Sequence, residues 1–569
     1  MREPSSGIPD EATPSVGDPG ETGRPRSRQV AALRSFLASS LLWDGTLGVL
    51  CLLWALAVVR LFAPGRANVD IANQYQQATG QIPFSDWHPP IMAVVWRSLM
   101  DLTGAQASLL VLQVALLAAA CWILCILVHR RSGSRPLSLL GPAVLLTPWV
   151  VSQTTTLWKD TQMAAALALG VLLFIVVRFV PKTWALVLPA FLLLVYALGL
   201  RKNALFALVP IAVYIAWVVV RQWSQRRRRR QGAESPGGPT RPRGESPLEP
   251  AASAPRRSSV SLLTRRGWAT AGVSMLVLVL LGGGLKATDA LISARTDVAQ
   301  TGQISQIFLD DVMFSVPEDE LMATDAPAAL KAHINSARDE CLAMGEIWDA
   351  YWNCYGRGET GEPFTPIAHQ DALKDLWLSE VITHPVRYIG YRAAVFSHYF
   401  FTTDLVYWPA DWHGEAGKAG IAQGSQKADH IVRPYVEDFA LGTFPMLFTP
   451  WFWALLAGGL LVAVCRAHRR DVRAWRVRGG TTDGRAGRFR PEISMLAASA
   501  LVYILGYFPI APANHFRYTF WPALAVTIAL VLWSAARSRA AGATRVGGSP
   551  GGLSGGARPG IQGPRNHAD

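Results

Sequence analysis

The chain has 569 residues, of which 50% are hydrophobic and only 17% charged, with a mean hydropathy of +0.22. Soluble globular domains carry about 25% charged residues, so this balance excludes an ordinary soluble protein and points to a polytopic membrane protein. The net charge of +14 does not mark a nucleic-acid-binding protein, because the basic residues sit in short loops and tails beside apolar segments.

Taken in chain order, the sequence opens with a polar tail over 1–40 that is expected to be disordered, without a small-residue cleavage site. Apolar stretches of a length to cross the hydrocarbon core follow at 43–63, 107–128, 137–154, 162–180, 183–200, 203–221, 267–285, 444–465, 493–512 and 518–536. The fold class expected is therefore all-α, a polytopic membrane protein of about 10 transmembrane helices. Residues 41–222 form its N-terminal module, with a first outer loop at 64–106. A basic, disordered linker is expected at 223–265, a single helix at 266–285, a mainly helical extracytoplasmic domain at 286–443, C-terminal helices at 444–537 and a disordered tail at 538–569. The stretch His88 to Met100 contains Arg97 and reads as an amphipathic helix lying in the membrane interface.

Arginine clusters set the orientation. They lie at Arg130, Arg131 and Arg135, at Arg221 with Arg226 to Arg230, from Arg466 to Arg478, and at Arg537 with Arg539. Ten spans place all four clusters and both termini in the cytoplasm. Cys51, Cys121, Cys125 and Cys465 fall in apolar helices and read as small packing residues. Cys341 and Cys354 fall in the polar outer segment, where an oxidising compartment favours a disulfide.

The polar groups at the helix edges carry the chemistry. Asn68-Val69-Asp70 … Tyr75 and Trp87-His88-Pro89-Pro90 follow the first span, and Trp158-Lys159-Asp160 opens another. Arg201-Lys202-Asn203 fills a tight turn, and Asn514-His515-Phe516-Arg517-Tyr518 precedes the last span. In the ten-span topology all five face the outside. Charged groups at membrane depth are costly and are functional candidates for that reason. A carboxylate there suits a general base, and outward-facing cations depart from the positive-inside pattern, which an anionic ligand would explain. Each also has a plain structural reading: Asp70 or Asp160 as a helix cap, the cations as headgroup partners. No phosphate-binding glycine loop and no nucleophile elbow occurs, so an activated donor already outside the cell is indicated rather than a nucleotide.

These motifs resemble the GT-C superfamily of integral-membrane glycosyltransferases, which use polyprenyl-phosphate-linked sugars. In that family an acid follows the first helix, a His/Lys-Pro-Pro motif opens a juxtamembrane helix, and basic residues near later helices hold the lipid phosphate. Asp70, with Tyr75 at the spacing of an Asp-x-x-x-x-Tyr variant, matches the first element and His88-Pro89-Pro90 the second. Asp160 matches a second acid, and Arg201 with Asn203, and Arg517 with Tyr518, match the distal basic positions. The likeness covers roughly 40–220 and, more weakly, 380–536. It departs from the family in having one acid, Val69-Asp70-Ile71, where a pair is usual, which leaves divalent-metal use open; no metal ligands and no cofactor are assigned.

What the resemblance implies is transfer of a sugar, with inversion, from a polyprenyl-phosphate donor to a glycan, lipid or protein acceptor at the outer face of the cell membrane. Asp70 and Asp160 are the catalytic candidates. Tyr75, Trp87, His88, Lys159, Arg201, Lys202, His515, Arg517 and Tyr518 are the substrate-binding candidates. The alternatives are a lipid or glycan transporter and a non-catalytic cell-envelope scaffold.

Overall fold

The structure of the protein, a computed structural model, describes residues 39–180, 182–233, 259–350, 354–355, 366–402, 404–405, 407, 413–477 and 489–546. Residues 47–569 group as one compact unit and residues 1–46 as another; of the latter, 40–46 open the first helix. Among the described residues the only strands are the two-residue pair Phe84–Ser85 and Val298–Ala299, and nearly all else is helix or connecting loop.

Among the described residues seven helices are long and apolar enough to cross a membrane: Ser40–Phe62, Ser108–Ser132, Lys159–Phe179, Ala204–Arg227, Arg266–Ser293, Pro450–Arg473 and Phe516–Ser538. The expected span at 137–154 is instead a helix pair, Arg135–Val144 and Pro148–Thr154, bent by 42°. Pro142 and Pro148 lie in and after the first half, and proline removes a backbone donor and crowds the preceding turn. The expected spans at 183–200 and 493–512 are the shorter helices Trp184–Leu200 and Arg490–Gly506, so seven of the ten expected spans, or eight with the bent pair, reach spanning length.

Boundaries differ in a consistent direction. The helix entering the linker runs to Ala233 and the next begins at Ser259, so both ends of the 223–265 segment are helical; 234–258 lies outside the described residues. The last helix runs to Val546, nine residues into the expected tail, and 547–569 lies outside the description, as does 1–38. Arg, Gln and Ala are strong helix formers, so these charged extensions continue the helix beyond the apolar run. Cys51, Cys121 and Cys125 are buried as expected, but Cys465 is exposed.

Lys159–Phe179 and Phe516–Ser538 are the innermost spans, 72% and 78% buried against 11% for Arg266–Ser293. Lys159–Phe179 packs on Val187–Leu200, Ser108–Ser132 and the last helix, while Arg490–Gly506 packs on Ala204–Ala233, Pro450–Val477 and the last helix. Close approach requires small residues: a Cβ on Gly506 would meet the Phe206 ring at 2.4 Å. Towards the other end of the bundle, Glu492 is fully buried, pairs with Arg178 and accepts from Tyr214 OH at 2.7 Å. A buried charge needs such partners, since its desolvation alone costs several kcal/mol.

The segment between Ser293 and Pro450 has its own core, built from Leu309, Val312, Met313, Leu330, Ile334, Cys341, Tyr355 and Leu373 among others. Cys341 and Cys354 are joined in a disulfide. The segment is pinned to the first loop and to the loop before the last helix. Phe84 and Ser85 pair in parallel with Val298 and Ala299, and Thr301 donates through N and Oγ1 to Asp86. Arg392, on the aromatic helix Pro385–Phe401, pairs with Asp311 at 2.6 Å and donates to the Ala511 carbonyl.

The stretch after His88 forms the 14-residue helix Pro90–Thr103, below spanning length, with Pro90 at its start and Met92, Ala93 and Trp96 buried on one face. Arg97 turns back onto the first loop, donating to the Ala78 and Gln77 carbonyls at 2.7 Å.

Candidate functional site

Three segments distant in sequence converge. The first begins after the Ser40–Phe62 helix. Gly65 takes a φ of +115°, open to glycine and strained for any other residue, and lies against Leu157. Arg66 then bridges by backbone to Thr155 and Leu157, and its guanidinium pairs with Asp429 at 3.1 Å. Asn68 caps the Val69–Thr79 helix, accepting from the Ile71 amide at 3.1 Å. Capping is thus done by Asn68, and the Asp70 carboxylate is left to face Arg517, with Oδ2 at 3.5 Å from a guanidinium nitrogen.

The second segment is the start of the Lys159–Phe179 helix. Asp160 is fully buried, and both of its oxygens accept from Arg201, at 2.8 and 2.7 Å. Lys159 Nζ lies 3.3 Å from His88 Nδ1. With Lys159 as the ammonium, which only donates, Nδ1 accepts and the His88 proton sits on Nε2. The structure agrees with a neutral ring: burial first, then the neighbouring Lys159 charge, pull the His88 pKa down to about 3 against the opposing effect of Asp70.

The third segment is the turn before the last helix. Arg517 lies over the Trp158 ring at 4.3 Å and donates to Tyr518 OH at 3.0 Å. Its Nε is buried and has no partner among the described residues. The Arg201 guanidinium lies 5.1 Å from the centroid of the Tyr518 ring, so one aromatic side chain separates the two arginines. Asn203 donates to Tyr507 OH, which fixes the turn that carries Arg201. His515 is 3.5 Å from Asp404, and Asn514 bonds the His398 ring at 3.0 Å.

A cavity of about 220 Å³ opens here, lined by Asn68, Gln153, Trp158, Asp404, Leu405, His515, Phe516 and Arg517. Burial raises the Asp70 pKa, but Arg517 and the other cations outweigh it and hold the carboxyl down at about 2. Asp70 is therefore a fixed anion. The arrangement offers an anionic ligand one guanidinium with unused donors, backed by an aromatic face, beside a carboxylate.

The structure brings together Asp70, His88, Lys159, Asp160, Arg201, Arg517 and Tyr518, with His515 on the cavity wall. Three expected binding residues lie elsewhere. Tyr75 is buried on Trp96 and its hydroxyl accepts from Gln106, so it is a packing residue of the first loop. Lys202 is exposed and acts on Asp289. Trp87 is half-buried, and its carbonyl accepts from Gln303. Asp160 has both oxygens committed to Arg201, so its first effect is to hold that cation. Sequence reasoning named Asn68 only within the motif that bears Asp70, and missed Gln153 and Asp404 as lining residues.

Among the described residues one group, Glu320, Glu380 and His384, is close enough together to hold a cation. Both Glu320 oxygens already accept from Arg387, at 2.8 and 2.7 Å, and His384 Nδ1 lies 2.8 Å from the Glu380 carbonyl. No family model matches the chain, and no curated protein or solved structure matches it.

Proposed function

We propose that the protein is a membrane glycosyltransferase. It transfers a sugar from a polyprenyl-phosphate donor to a cell-envelope acceptor, with the site on the extracytoplasmic side and both termini in the cytoplasm. The observation that carries the reading is Arg517: a half-buried guanidinium at a bundle end, with donors to spare, held between Asp70 and the Trp158 ring. A phosphate entering there meets bidentate donors in a site largely withdrawn from water, where they count for most. The arginine clusters at the opposite helix ends support the orientation.

In this reading Arg517, with Arg201 and Lys159 behind it, receives the charge that develops on the phosphate as the sugar leaves. The Trp158 face and the lining of the 220 Å³ cavity hold the sugar. Asp70 orients Arg517. A carboxylate at the same site must also take the acceptor proton.

The test is transfer of radiolabelled sugar from a panel of polyprenyl-phosphate sugars by the purified full-length protein in lipid nanodiscs. Product that appears with the wild type and is lost in Arg517→Ala supports the reaction. A folded wild type that binds no polyprenyl phosphate and makes no product from any donor refutes it.

A further inference from the structure

The disulfide-closed loop of the segment between Ser293 and Pro450 brings a second carboxyl to this site. Cys341 and Cys354 close a loop that contains Trp348 and Asp349. The backbone around Asp349 is pinned on both sides. The Ala350 amide donates to Asp310, and the Ile347 carbonyl accepts from Tyr391 OH at 2.9 Å. Trp348 stacks on His398 with ring centroids 3.8 Å apart, and His398 in turn bonds Asn514, three residues before Arg517. The loop is thus strapped to the turn that carries Arg517.

Asp349 itself has a φ of +49°, one of only two non-glycine residues with positive φ among those described. Such a conformation persists when the surroundings over-determine it, and it clusters at functional sites. Gln306 donates to the Asp349 carboxylate at 3.0 Å and fixes its direction. The side chain is half-buried, so a substrate can reach it. Arg517 and Asp70 act on it through their charge, as does Glu346. Asp349 in turn acts on the buried Asp310.

We infer that Asp349 is the general base for the acceptor, presented to the Asp70–Arg517 site by the Cys341–Cys354 loop. The inference rests on the glycosyl-transfer reading. In the step, the acceptor O–H gives its proton to Asp349 as its oxygen bonds the anomeric carbon. The bond from that carbon to the phosphate oxygen breaks, and its electron pair leaves on the polyprenyl phosphate, beside Arg517. The two carboxyls then divide the work. Asp70 is locked as an anion by the cations around it and is a weak base. Burial, with the Asp70 and Glu346 charges, lifts Asp349 to about 7 against the pull of Arg517 and the Gln306 hydrogen bond, which matches a base working near neutral pH.

The experiment is the pH dependence of kcat/KM for sugar transfer by full-length protein in nanodiscs. The wild-type rate is expected to fall as pH drops through about 7, since the base must be unprotonated. Asp349→Asn is expected to lower transfer by about 100-fold or more and to abolish that limb. Asparagine tolerates positive φ at least as well as aspartate, so the backbone is not strained by this change. An intact disulfide and an unchanged melting temperature check the fold. Asp70→Asn is expected to keep the limb and move it to lower pH, because a neighbouring negative charge is removed. Gln306→Ala is expected to move it to higher pH, because a hydrogen bond to the charged form is lost. An Asp349→Asn protein that transfers sugar at the wild-type rate, or keeps the limb near 7, overturns the base. A wild type that binds polyprenyl phosphate yet transfers no sugar overturns the reaction and the base together, a result distinct from an active Asp349→Asn.

Discussion

Arg517→Ala separates the binding and stability roles of the residue on which the reading rests. The guanidinium and the Asp70 carboxylate are only 15% and 17% exposed, so water screens them weakly. Removing the guanidinium deletes charge-assisted hydrogen bonds to a donor phosphate, each contributing about 1.5–3 kcal/mol. For each bond lost, donor binding weakens by roughly 10- to 100-fold. Turnover should fall further, by about 100-fold or more, because leaving-group charge grows in the transition state. The variant also leaves Asp70 without its nearest partner. Asp70 falls from 3.8 to about 2 in the folded protein, which corresponds to about 2 kcal/mol of stability for all its neighbours together. The folded value lies below the unfolded one, so this stability is present above about pH 4 and is lost as pH falls through about 2. Arg517→Ala should therefore lose part of that 2 kcal/mol at neutral pH and show a flatter stability curve between pH 4 and 2. The assays are titration of nanodisc-embedded protein with polyprenyl phosphate and thermal unfolding across pH. Arg517→Lys should retain part of both effects, since an ammonium keeps the charge but not the fork. A folded Arg517→Ala protein that binds polyprenyl phosphate as tightly as wild type refutes the phosphate role.

Asp160→Ala removes one half of a buried, bidentate pair and should cost about 3–5 kcal/mol in denaturant unfolding, whereas Asp160→Leu with Arg201→Met should cost far less. Cys341→Ser with Cys354→Ser opens a short loop and should cost about 2–4 kcal/mol, read as a lowered melting temperature, with slower transfer because Asp349 loses its frame. For orientation, a cysteine at the exposed Ser336 should react with an impermeant thiol reagent added to intact cells, in a background lacking Cys465, and one at Arg227 only after permeabilisation. The reverse pattern would place the Asp70–Arg517 end in the cytoplasm.

The site's main members were legible because each broke a rule visible in the sequence. In the expected ten-span topology Arg201 and Arg517 stood on the wrong side for membrane arginines, and Asp70 and Lys159 stood at the ends of apolar runs. The spans were legible for the same reason, except where proline or chain length intervened: the helix through Pro142 and Pro148 bends, and Arg490–Gly506 stops short. What sequence alone does not carry is partnership. Arg201 is paired with an acid 41 positions away, and Arg66 with one 363 positions away. Nothing local distinguishes Asp349 from the other acids of its segment. Its place is set by a disulfide, a ring stack on His398 and a hydrogen bond from Gln306, all tertiary. Tyr75 fails for the opposite reason: a five-residue spacing from Asp70 places it on a different helix face, and the tyrosine packs inward on Trp96.

The charge at the site bears on which phosphate it suits. Formally, three cations, Lys159, Arg201 and Arg517, meet two anions, Asp70 and Asp160, while His88 is neutral. Arg201 and Asp160 cancel each other, held face to face through both oxygens. In the proposed reaction that leaves two cations against Asp70 and the ionised base Asp349, so the empty site is balanced. A polyprenyl-phosphate sugar is a phosphodiester with one negative charge, and when the sugar departs the phosphate becomes a monoester and gains a second. A carboxylate that stayed ionised through the step would leave the products with one negative charge more than the donor complex. As the base, Asp349 takes the acceptor proton and so loses its charge in the same step that the phosphate gains one, which leaves the total charge of the loaded site unchanged through transfer.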